Sequence, residues 1–100
     1  MILAFETAAD LRERLRLSAQ ARRIALGLTQ TELSARSGVA LGSLKRFERL
    51  GEISLVSLLA LAEALDALAG FHQLFPPPEA RSLAELEAQA TPRKRARALR

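Results

Sequence analysis

The tightest constraint on the fold of this chain is how closely its helix starts and stops are set. Thr29-Gln30-Thr31-Glu32 is a full capping box: the Thr and Glu side chains each take the other residue's backbone N–H, so a helix opens at Gln30. Gly38 ends that helix after only two turns, and Val39-Ala40 leave room for no more than a tight connection. A third helix then runs from about Leu41 to Leu50, where Gly51 halts it. Upstream, Thr7-Ala8-Ala9-Asp10 is a capping box with Asp in place of Glu. Leu11, Leu15, Ala19 and Arg22/Arg23 follow at helical spacing, which predicts a first helix over about 8–26, unbroken or interrupted near Ser18, with Gly27 as its stop. Ser54 caps a fourth helix over 55–66, with Leu55, Leu58, Leu59, Ala62 and Leu65 as its apolar face. A short fifth helix over 68–75 brings Leu68, Phe71, Leu74 and Phe75 inward.

Composition supports an all-α fold. Ala and Leu supply 39 residues and Val, Ile and Thr only 9, a bias toward side chains that lose little rotamer freedom in a helix. Pro76-Pro77-Pro78 is a stiff extended stretch that closes the compact part. The chain therefore divides into a globular unit over 1–75, a Pro-rich linker with a short acidic helix over 76–91 (opened by the capping box Ser82-Leu83-Ala84-Glu85), and a basic tail over 92–100. No internal repeat is visible. The net charge of +4 is unevenly spread: residues 22–51 sum to +4, residues 52–91 to −5, and the tail adds Arg93, Lys94, Arg95, Arg97 and Arg100. The basic parts should seek polyanions. The absence of cysteine excludes a disulfide framework, a thiolate metal site and a Cys nucleophile. His72 is the only histidine and has no carboxylate pair beside it, so no metal, cofactor or catalytic centre is expected, and the protein is not expected to be an enzyme. Met1–Phe5 is too short for a signal-peptide core, and Leu55–Gly70 is interrupted by Glu63 and Asp66, so no membrane span is expected and a cytoplasmic protein is.

Two short helices joined by a Gly-containing turn are the geometry of a helix-turn-helix. Over Gln30–Arg49 the details agree: Leu33, Val39, Leu44 and Phe47 would lock the second helix to the third, Ser34 is small where the backbones approach, and Gly38 can take positive φ. The stretch Ala21–Leu65 resembles the Cro/repressor (XRE) family of DNA-binding domains. It does so through Leu28–Ser34, Ser37-Gly38-Val39, Leu44–Glu48 and Leu58–Leu65. The resemblance implies a lambda-repressor-like domain of about five helices with a C-terminal extension. It departs at Ser37, a position more often apolar in the family, which implies looser packing of the second helix.

The resemblance also implies roles. The third helix would enter the major groove of double-stranded operator DNA, with Leu41, Gly42, Ser43 and Arg46 at base-reading positions. Arg46 suits guanine O6/N7, Leu41 a thymine methyl, and Ser43 several edges. Arg22, Gln30, Lys45 and Arg49 would take phosphates, which position the protein without reading sequence. Arg23 and Glu48 match a pair that forms a structural salt bridge in relatives. Ala40-Leu41-Gly42 places non-hydrogen-bonding residues where relatives often use Gln or Thr, so direct readout would rest mainly on Ser43 and Arg46.

The reading that follows is a sequence-specific regulator, an autorepressor acting as a homodimer, because one helix reading a few base pairs discriminates little. Gly42–Arg49 with the C-terminal extension is similar to HipB-like antitoxins, which implies a HipA-like serine/threonine kinase toxin as partner. The alternative is an interaction module that kept the fold and lost DNA binding, motivated by the apolar start of the third helix. Blander readings stand beside these: the tail as a solubilising terminus or a flexible arm on phosphates, Phe71 and Phe75 as core or dimer seam, and residues 79–91 as a surface helix or a docking segment.

Overall fold

A computed structural model of the chain describes residues 6–78. It contains four α-helices, α1 (Ala8–Ala25), α2 (Gln30–Ser37), α3 (Leu41–Leu50) and α4 (Leu55–Ala64), then a 3₁₀ turn over Ala69–Gln73, with no strand among the described residues. The expected acidic helix and the basic tail lie outside the described residues.

Local chemistry accounts for the starts. Thr7 Oγ1 accepts from the Asp10 amide and Asp10 Oδ2 accepts from the Thr7 amide, both at 3.1 Å. At Thr29 and Glu32 the reciprocal bonds are 3.0 and 2.8 Å. Ser54 Oγ accepts from the Ser57 amide at 3.1 Å. Helix α1 runs unbroken through Ser18. The α2–α3 turn is closed by Gly38 at φ +80°, a conformation in which a Cβ would crowd the carbonyl. Ser37 is not loose. Its hydroxyl donates to the Ser34 carbonyl at 3.4 Å and accepts from the Val39 amide at 3.1 Å, while Ser34 Oγ donates to the Val39 carbonyl at 2.6 Å. Two serines thus knit the turn.

Leu28, Leu33, Val39, Leu44, Phe47, Leu61 and Leu65 form one buried cluster, flanked by Ala19, Ile53 and Leu58. Helix α3 packs on α1 and α2, and α2 also on α4. Two expectations need correction. Helix α4 ends at Ala64, two residues early, and buries Leu61 and Ala62, with Leu65 buried at its C-cap, whereas Leu55 is 64% exposed. The fifth helix is only the 3₁₀ turn: Phe71 is half-buried, but Leu68, Leu74 and Phe75 face solvent, Phe75 at 94% exposure. Gly70 weakens a helix here and Pro76 bars its continuation.

Candidate nucleic-acid interface

The outer flank of α3 is open. Gly42, Ser43, Lys45, Arg46 and Arg49 are exposed and Leu41 is half-buried, while Leu44, Phe47 and Glu48 on the opposite flank are buried. The reason is periodicity: 44, 47 and 48 share one face, and the cations fall on the other. Lys45 and Arg49 pair with no carboxylate among the described residues.

The inner flank is held by Glu48. Arg23 Nε donates to its Oε2 at 2.7 Å and Arg23 Nη2 to its Oε1 at 2.9 Å, a bidentate clamp from α1 to α3. Gln30 Nε2 and Gln20 Nε2 also donate to Oε1, at 2.9 and 3.4 Å, and Arg16 Nη1 donates to the Glu48 carbonyl at 2.6 Å. Arg23 Nη1 reaches the Leu28 carbonyl at 2.9 Å, which anchors the α1–α2 loop. Burial pushes the Glu48 carboxyl up, but the bonds from Arg23, Gln30 and Gln20 outweigh it and hold it below its ordinary value. The clamp fixes the roll and depth of α3 on the domain, and so where its outer flank points.

Three side chains expected on DNA have protein partners here. Gln30 turns its amide to Glu48. Arg22 donates from Nε to the Leu65 carbonyl at 2.6 Å and from Nη2 to the Asp66 carbonyl at 2.8 Å, capping the negative end of α4 where Asp66 adopts φ +58°. Arg46 donates from Nε and Nη2 to Glu52 Oε1, at 3.0 and 2.7 Å. The groups that sequence reasoning passed over are therefore Arg16, Gln20 and Glu52. Arg16, Gln20 and Arg23 lie at spacings of four and three on α1, so their shared face was readable. Glu52 carried no such signal, because its return toward Arg46 depends on the left-handed turn at Gly51.

Ser43, Arg46, Glu52, Ile53, Ser54 and Ser57 line a shallow cleft of about 270 Å³ between α3 and the start of α4. Among the described residues, no helix is long and apolar enough to cross a membrane and no three His, Cys, Asp or Glu side chains gather as a metal would require.

A capped two-turn helix, a left-handed glycine and a second helix with a cationic outer flank define a helix-turn-helix protein of lambda-repressor-like fold. The helix-turn-helix family model matches residues 19–68, and the chain belongs to that family, the XRE-type DNA-binding regulators. No curated protein and no solved structure matches the chain.

Proposed function

We propose that this protein is a sequence-specific transcriptional repressor in the cytoplasm that binds its own operator as a homodimer, with α3 in the major groove of double-stranded DNA. The observation that carries the reading is the outward, cationic flank of α3 on a clamped scaffold. Ser43 and Arg46 read base edges, Leu41 meets a thymine methyl, Gly42 allows close approach, and Lys45 and Arg49 hold phosphates. Arg22 and Gln30 contribute phosphate contacts only through donors left over from their internal bonds. Dimerisation is supported by an apolar groove of about 540 Å³ lined by Leu11, Leu15, Leu55, Phe71, Leu74 and Phe75, which a second copy of the chain would cover. DNase footprinting on the gene's own upstream region tests the proposal. The expected result is a palindrome with half-sites about 34 Å apart, centre to centre; no protected palindrome at physiological salt overturns it.

An antitoxin role with a HipA-like kinase partner extends this reading and is checked by the neighbouring reading frame. A second reading, the interaction module without DNA binding, is favoured by one observation: Arg22, Gln30 and Arg46 are all engaged with protein groups. Under it, neither Arg46→Ala nor Arg49→Ala changes affinity for any duplex.

A further inference from the structure

Arg46 does not stand on α3 as a free cation. Its Nε and Nη2 both donate to Glu52 Oε1, which leaves Arg46 Nη1 and Glu52 Oε2 without hydrogen bonds among the described residues. Arg46 is 59% exposed and Glu52 50%, so the pair stands on the surface at the mouth of the cleft with Ser43 and Ser57. Glu48, the other carboxylate between residues 41 and 54, is buried against Arg23. Glu52 is therefore the one acidic group exposed on this stretch.

The pair presents a donor and an acceptor side by side. A phosphate offers only acceptors, so it satisfies the guanidinium but meets the carboxylate as a like charge. A base pair in the major groove offers both: guanine O6 and N7 accept, and cytosine N4 donates. We propose that Glu52 is a specificity-determining residue, which restrains Arg46 from phosphates and accepts from a base amino group while Arg46 donates to guanine. Discrimination comes from the repulsive partner as much as from the attractive one. The inference rests on the reading of α3 as the DNA-reading helix.

The test uses the full chain and two duplexes: one selected by the wild-type protein from a random-sequence pool, and one of scrambled sequence. Affinities are measured across salt for wild type, Glu52→Gln, Arg46→Ala and the double variant. Glu52→Gln is expected to tighten the scrambled duplex about tenfold while tightening the selected one less or not at all, so that the ratio of the two falls. Its salt slope on the scrambled duplex should steepen by about one phosphate's worth. In the Arg46→Ala background the same substitution should lower the ratio clearly less, because only the direct contact of Glu52 with the base remains to be lost. An equal shift of both duplexes by Glu52→Gln would overturn the proposal and reduce Glu52 to bulk charge. A fall in the ratio that is as large without Arg46 as with it would overturn the coupling between them. If wild type selects no duplex, the reading of α3 itself fails and this proposal with it. Unchanged thermal unfolding of Glu52→Gln shows that any change arises in binding.

Discussion

Glu48 receives hydrogen bonds from α1 and α2 while sitting on α3, and it is only 4% exposed. A buried ion pair adds little net stability over an apolar pair, but losing one partner strands the other charge. Glu48→Leu or Arg23→Met alone should therefore cost about 3–5 kcal/mol, and the double variant clearly less than the sum, measured by denaturant unfolding in a double-mutant cycle. Acid acts on the same group. Since the folded state holds the Glu48 carboxyl below its ordinary 4.5, its contribution is complete above that pH and disappears as pH falls through the folded value. The cap carboxylates Asp10 and Glu32, lowered chiefly by backbone hydrogen bonds from Thr7 and Thr29, shift in the same direction. Thermal unfolding midpoints should drop steadily from pH 5 downward, and Glu48→Gln should flatten that drop.

At the level of elements, α2 and α3 each end on a left-handed glycine, Gly38 and Gly51, and the two differ in their surroundings. Beyond its own backbone and chain neighbours, a Cβ at Gly38 would meet nothing within 4 Å, whereas at Gly51 it would lie 2.7 Å from Arg12 Cγ. Gly38→Ala should cost only the backbone penalty, about 1–2 kcal/mol. Gly51→Ala should cost more, because the Arg12 side chain must also move; the ordering of the two unfolding free energies checks this. The limits of α1, α2 and α3 were legible because caps and stops act within about four residues of themselves. The inward face of α4 was not. Its sequence is apolar on nearly every side, so periodicity alone offered Leu55 as readily as Leu61, and packing against α2 chose Leu61.

For the whole molecule, the exposed Leu74 and Phe75 and the charge distribution set the expected behaviour. If the proposed dimer forms on this groove, replacing both with Ser should leave the helical far-UV spectrum intact, since neither is buried, yet shift the protein toward monomer in sedimentation equilibrium and weaken binding to the proposed operator at fixed protein concentration. A dimer unmoved by both substitutions would place the seam elsewhere. Removing residues 92–100 takes away five cations. If they lie on phosphates, the loss of affinity should be large at low salt and small at high salt; equal loss throughout would contradict that role.

The amino-acid sequence by itself determined where α1 begins, where α2 and α3 begin and end, that these two pair through a glycine turn, and which family the chain joins. These depend on short-range backbone chemistry and on spacing, both written along the chain. Only the tertiary structure decided where the long polar side chains go. Arg22 reaches a carbonyl 43 residues away and Gln30 a carboxylate 18 residues away. Arg46 finds Glu52 across the Gly51 turn. Such side chains have many rotamers of similar energy, so the packed backbone around them selects the partner.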